Sequence, residues 1–307
     1  PNYNYWTIFR IAKEQSKPYK TAIYSSWTDN RTVLLGEGKP ETNYLKIDFI
    51  CDGYDLDTLR FPKKEKDLRI FDIDEYVTEQ AAKGIRQDAA DLSWVYLWYT
   101  DDAGHIEGNG RFFDDYTQKA DAQIGKIWDA VKYREAYFNE DWMIVVTTDH
   151  GRGENGHGHG GQSKRERTTW ISTNQPVNER FNTEGLAIVD ITPSICRFME
   201  FNIPQQVRWE QDGIPFIGQV DITQMGTSPY DDSVTLSWNC LNPDAMVDIY
   251  VSSTNQYKEG GKDQWKKIAR VPAKKQMYVV STDKLPDSHY YKFLLETPNN
   301  HLNRWVE

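Results

Sequence analysis

An α/β sandwich with a mostly parallel central sheet, followed by a small all-β sandwich, is the architecture this sequence predicts. Three observations carry it. Trp94-Val95-Tyr96-Leu97-Trp98-Tyr99 and Trp142-Met143-Ile144-Val145-Val146-Thr147 are nearly continuous apolar runs of β-favouring residues, as strands covered on both faces require. Helical patterns alternate with them, which argues for parallel strands joined by helices. After residue 222 the helical patterns stop, and short runs of period two take over between turn residues. The expected division is therefore 1–222 and 223–307.

Taken in order, Thr7 to Gln15 reads as a helix, with Ile8, Ile11 and Ala12 at helical spacing. Lys20 to Ser25 reads as a strand, and Trp27 to Thr32 as the polar loop after it. Such loops lie at the strand ends where α/β sheets bind ligands. Trp27 is either a substrate contact or a half-buried loop aromatic. Ile47 to Cys51 is a short strand, and the charge run Pro62 to Asp67 a solvated loop. Asp72 to Gln87 is a helix capped by Asp72 or Asp74, with Ile73, Tyr76, Val77, Gln80, Ala81 and Ile85 striping one side. Phe112 to Arg134 is the clearest helix, because Phe113, Tyr116, Ala120, Ile124, Ile127 and Val131 recur every three or four residues.

Thr168 to Ser172 is a further strand. Asp190 caps a helix with Pro193 in its first turn, closed by Asn202 and Pro204. The remaining strands are Ser233–Trp238, Val247–Val251, Trp265–Val271, Gln276–Val280, His289–Leu295 and Leu302–Val306.

A net charge of −10 argues against general binding to nucleic acid or an anionic membrane. A phosphorylated substrate remains compatible, since bound cations invert the local field. Three cysteines, Cys51, Cys196 and Cys240, are far apart and form no CxxC, which excludes a cysteine zinc site and a disulfide framework. No apolar run reaches the ~18 residues a membrane helix needs.

Four of the six histidines fall beside glycines at two places. One is Asp101-Asp102-Ala103-Gly104-His105, directly after the first buried strand; the other runs from Asp149-His150-Gly151 to Gly156-His157-Gly158-His159-Gly160-Gly161. Zinc takes imidazole nitrogen and carboxylate oxygen, with three protein ligands and an open position in catalytic sites. Asp101, His105 and His159 supply one such triad, drawn from two loops that the fold must bring together. Asp149 and His150 form half of a second site. Two cations roughly 4 Å apart suit phosphoryl displacement, because each holds one of the attacking and leaving oxygens. His157 is the alternative to His159, and Asp102 the alternative to Asp101.

At Asp101-x-x-Gly104-His105-x-x-Gly108, Thr148-Asp149-His150-Gly151 and Gly158-His159-Gly160-Gly161 the sequence resembles the alkaline phosphatase superfamily. It is most similar to the nucleotide pyrophosphatase/phosphodiesterase branch found in secreted bacterial proteins. Asp190-Ile191-Thr192-Pro193, followed by Ile203-Pro204, matches that superfamily's closing helix, so the resemblance covers about residues 5 to 220. It implies two zinc ions, one on Asp101, His105 and His159, the other on Asp149 and His150. It implies a small phosphodiester or nucleotide substrate and a secreted, periplasmic or cell-surface location. It also implies a Thr or Ser nucleophile that forms a phospho-enzyme, and a strand-terminal Asp, both upstream of Pro1. The expectation is that this chain alone binds one metal well and turns over poorly until an N-terminal segment is supplied. Val234–Trp238 and Tyr290–Phe293 resemble a fibronectin type III domain.

Rival readings within the superfamily are a sulfatase, which needs a modified Cys or Ser and usually calcium, and a metal-dependent phosphomutase. A catalytically inactive binding or adhesion protein is the rival from another class.

Overall fold

The computed structural model describes all 307 residues, which fall into two compact units: Thr7–Asn174 with Pro1, and Gln175–Glu307 with Asn2–Trp6. The chain is mixed α/β, with a three-stranded parallel sheet in the first unit and sandwich-like antiparallel sheets in the second. The division falls after Asn174, whereas the sequence texture places it after residue 222. None of the helices is long and apolar enough to cross a membrane.

In the first unit, α1 (Ile8–Lys13) starts at Thr7, whose side chain accepts from the Arg10 amide. β1 (Thr21–Ser25) lies between β2 (Phe49–Cys51) and β3 (Leu92–Tyr96), parallel to both, with Tyr24 opposite Cys51 and Val95. β1 is buried along its whole length, as its apolar run requires. Beyond its end the expected loop is a π-helical turn, Asn30–Leu35, a conformation that recurs at functional sites. Arg31 in that turn grips Asp52 with two nitrogens at 2.6 and 3.0 Å, and Thr28 bonds Asp55. The loops after β1 and β2 are thereby stitched together.

α2 (Leu68–Gln87) buries Ile70, Ile73, Val77, Ala81 and Ile85, close to the expected stripe. It begins four residues before Asp72, so neither Asp72 nor Asp74 caps it; Asp74 lies inside the helix and is buried. Gly84 lets this helix approach the sheet, because a Cβ there would land on the hydroxyl of buried Tyr24. Gly84→Ala is expected to cost about 1–3 kcal/mol, read as a lower thermal midpoint, since overpacking forces a rotamer or backbone shift.

α3 (Tyr99–Glu107) follows β3 within three residues, and α4 (Arg111–Phe138) packs on α2. Gln123 and Lys126 of α4 bond the two oxygens of Glu75 at 2.7 and 2.8 Å. The second apolar run departs from expectation. β4 (Val145–Thr147) joins no parallel sheet; it pairs antiparallel with β5 (Ile171–Thr173) in a separate two-stranded sheet.

In the second unit come α5 (Arg180–Thr183), α6 (Ile191–Phe198) and α7 (Gln205–Arg208). Asp190 precedes α6 but does not cap it. Its carboxylate accepts from Ala187 and Ile214 amides and from Arg180. Arg197 of α6 bonds the carbonyls of Ile217 and Gln219 at 2.8 and 2.7 Å, and that of Asn299. These ties explain why residues 175–222 belong with the β region.

Seven strands follow: β6 (Ile222–Tyr230), β7 (Ser233–Cys240), β8 (Met246–Ser252), β9 (Lys266–Pro272), β10 (Met277–Ser281), β11 (Tyr291–Glu296) and β12 (His301–Val306). They form sheets ordered β10-β7-β6 and β12-β11-β8-β9. β6 is the strand that periodicity does not reveal, since a bulge between Thr223 and Gly226 breaks its alternation. Leu236, Val247, Ile249, Phe293 and Leu295 fill the core between the sheets. Buried Lys292 pairs Glu210 and Asp263, each at 2.6 Å.

Candidate metal centre

Asp101 and His105, expected on a loop, lie on α3. The helix forms there because an acceptor from another element waits at its N-terminus. Asp74 of α2 takes the Trp98 amide on Oδ1 at 3.0 Å and the Tyr99 amide on Oδ2 at 2.8 Å; the Ser26 hydroxyl adds 2.5 Å to Oδ1. Two of the first free N–H groups of α3 are thus satisfied by a side chain 24 and 25 residues upstream. Burial pushes the Asp74 carboxyl up to about 7, against the pull of its three donors. One turn of helix then sets Asp101 and His105 on the same face, with His105 Nε2 3.2 Å from Asp101 Oδ2.

The other Asp101 oxygen faces the glycine loop. His159 Nε2 lies 3.6 Å and His150 Nε2 3.9 Å from Oδ1, and all three ligand atoms fall within 4.8 Å of one another. The His150 and His159 rings stack at 3.8 Å between centroids, and the His105 ring lies 4.9 Å from His159. His150 Nδ1 is 2.9 Å from the Gly151 carbonyl. A carbonyl only accepts, so Nδ1 carries the proton and Nε2 offers its lone pair to the cluster. Asp149 Oδ1 stands 3.6 Å from the same Nε2 and is largely open to solvent.

Tetrahedral zinc with bonds of about 2.1 Å sets its ligand atoms roughly 3.4 Å apart. The Asp101–His159 and Asp101–His150 separations come close to that spacing, so two imidazoles and one carboxylate oxygen fit such a cation. The five expected ligands therefore converge, but in another grouping. Asp101 is the hub, and His150 closes with His159 on one of its oxygens while His105 takes the other.

His157 does not join them. Its Nδ1 is 3.0 Å from the His105 carbonyl, so it donates there and braces the loop against α3. Asp102 is half-buried with Oδ2 unpartnered, and burial, with Asp67 and Asp101, pushes its carboxyl up to about 6.

Two residues of the site were invisible to pattern. One is Asp74. The other is Arg152, whose guanidinium bonds Asp101 Oδ1 as well as the carbonyls of Gly156, at 2.5 Å, and His157, at 3.3 Å. Its only sequence signal is a cation directly after an Asp-His-Gly run.

An aromatic group stands at the same strand ends. Trp27 packs on Tyr96 and Trp98 at 6.3 and 5.9 Å. Burial raises the Tyr96 phenol, and Asp149 and Asp101 add to the shift, which sets Tyr96 within their field.

No protein-family model and no curated protein matches the chain. Among solved structures, pectate lyase Pel3 from Pectobacterium carotovorum is 20% identical over 27% of this chain and 24% of its own, with a TM-score of 0.20. Pectate lyase PelI from Erwinia chrysanthemi, solved with tetragalacturonic acid, is 14% identical over 28% and 27%, with a TM-score of 0.21. A DUF3244 family protein with an immunoglobulin-like β-sandwich fold, from Bacteroides vulgatus, is 16% identical over 29% of this chain and 97% of its own, with a TM-score of 0.20. The aligned part thus spans about a quarter of each pectate lyase, and likenesses this slight carry no argument about activity.

Proposed function

We propose that this chain is the metal-holding part of a two-zinc phosphoric ester hydrolase of the phosphodiesterase or nucleotide pyrophosphatase type, on an alkaline-phosphatase-like core. The attacking hydroxyl is supplied from outside Pro1–Glu307, and the protein works outside the cytoplasm. The observation that supports this reading is the convergence of Asp101, His105, His150 and His159, drawn from one helix and one glycine loop, with Asp149 at the rim.

Asp101, His150 and His159 would hold one cation, with His105 on the other Asp101 oxygen; Asp149, at the rim, would contribute to the second. A bound zinc ion acts as a Lewis acid and lowers the pKa of a water it carries. The chain's own groups orient the rest. Asp74 fixes the start of α3, the Gly151 carbonyl fixes the His150 tautomer, and His157 holds the loop to α3. A small phosphodiester suits the reading, because a cationic centre attracts it despite the acidic chain.

The test is metal content together with hydrolysis of bis(p-nitrophenyl) phosphate by the natural protein as isolated, before and after chelation. Bound zinc with diesterase activity that EDTA removes and zinc restores is expected. A protein that binds no zinc and leaves the diester intact refutes the proposal.

A further inference from the structure

Arg152 is tied down more firmly than a surface cation. Its side chain is 10% exposed and bonds three acceptors at once: the Asp101 carboxylate and the carbonyls of Gly156 and His157. It also fills a slot that exists only because residue 104 is glycine. A Cβ on Gly104 would land on Cζ and Nε of Arg152. A planar guanidinium with several fixed donors suits this task, and a lysine, which offers a point charge, does not.

The oxygen Arg152 holds is Oδ1, the one that His150 and His159 face. Two opposite roles follow from that position. Either Arg152 competes with a cation for Oδ1, or it orients the carboxylate for one. The carbonyl bonds and the Gly104 slot decide between them. They anchor the guanidinium independently of Asp101, and a carboxylate oxygen has a second lone pair to give a cation.

We propose that Arg152 is a positioning residue: it aims Asp101 at His150 and His159 and pins the Gly156–Gly161 loop to α3 before a cation arrives, in a slot that Gly104 leaves open. The proposal rests on the metal-site reading above. Groups that orient metal ligands typically contribute 10–100-fold to metal affinity.

The experiment is calorimetric titration of the full chain with zinc chloride, for wild type, Arg152→Ala, Arg152→Lys, Gly104→Ala and the Gly104→Ala/Arg152→Ala pair. Amide hydrogen exchange on each metal-free protein accompanies it. Arg152→Ala is expected to bind zinc about 10–100-fold more weakly, with Arg152→Lys between it and wild type. Gly104→Ala is expected to lose a similar factor, and the double variant no more than Arg152→Ala alone, because both changes remove one interaction. Amides of residues 156–161 are expected to exchange faster in metal-free Arg152→Ala.

Equal or tighter zinc binding by Arg152→Ala, beside a wild type that binds, overturns the positioning role and leaves the metal site standing. Losses that add in the double variant overturn the role given to Gly104. If wild type binds no zinc, the metal-site reading fails and the part of the proposal that aims Asp101 fails with it. The loop-pinning part is still decided by exchange: faster exchange in Arg152→Ala upholds it, and unchanged exchange ends it.

Discussion

Asp101→Asn is expected to weaken zinc binding by about 100-fold or more, beyond the 10–100-fold typical of groups that only orient a ligand. Asp101 is the residue that all three candidate histidines approach, His105 on one oxygen and His150 and His159 on the other. An amide replaces an anionic oxygen with a neutral one and turns N–H donors towards imidazole lone pairs. It also removes the charge that Arg152 pairs. His159→Ala is expected to lose a comparable factor. His157→Ala is expected to lose less than about 10-fold, since its ring reaches the His105 carbonyl and not the cluster. Competition titration against a colorimetric zinc chelator ranks the three. Equal losses at His157 and His159, or an Asp101→Asn that binds like wild type, would contradict the geometry.

Asp74→Ala is expected to cost about 2–4 kcal/mol in urea denaturation, and to weaken zinc binding although Asp74 bonds none of the candidate ligands. Its carboxylate accepts from the Ser26 hydroxyl and the Trp98 and Tyr99 amides, and Ser26 and Tyr99 are almost wholly buried. Removing it strands those donors, at about 1–3 kcal/mol for each buried group left unpaired. Relief of a buried charge offsets part of that sum. The same residue predicts a pH dependence. Its folded value stands at about 7, above the ordinary 3.8, because burial disfavours the ionised form. The folded chain therefore keeps this proton longer than the unfolded chain does. The contribution is full below pH 3.8 and is lost as pH rises to about 7. The stability gap between wild type and Asp74→Ala should narrow across that range. A gap that widens with pH would show that the folded carboxyl is not raised.

Much of the candidate site was legible because its signal is local. Asp-His and Gly-His-Gly runs at the ends of apolar strands need no tertiary knowledge to stand out, and all five marked residues do come together. Periodicity likewise revealed α2, α4 and six of the seven strands of the β region. It failed at β6, where the bulge and Pro229 interrupt the pattern. It also misread the second apolar run. Burial on both faces was expected there, but Val145 and Val146 are only half-buried, Thr147 is exposed, and β4 finds its only partner in β5, antiparallel. A one-dimensional pattern records apolar spacing and leaves open how far a strand is covered and which strand it pairs with.

By itself, then, the sequence determined the candidate ligand types, their order and the strand–helix alternation that carries them, since each depends on neighbours a few residues apart. Tertiary structure decided the rest. Asp74 reaches from α2 to the start of α3 and makes a helix of what read as a loop. Asp101 becomes the hub because the glycine loop folds back on it and moves His150 beside His159. Arg152 enters the site through a slot defined by a missing side chain at Gly104. Residues 175–222 join the β region through hydrogen bonds such as that from Arg197 to the Asn299 carbonyl, across 102 positions. Contacts over such separations depend on which surfaces are buried together, and no local pattern encodes that.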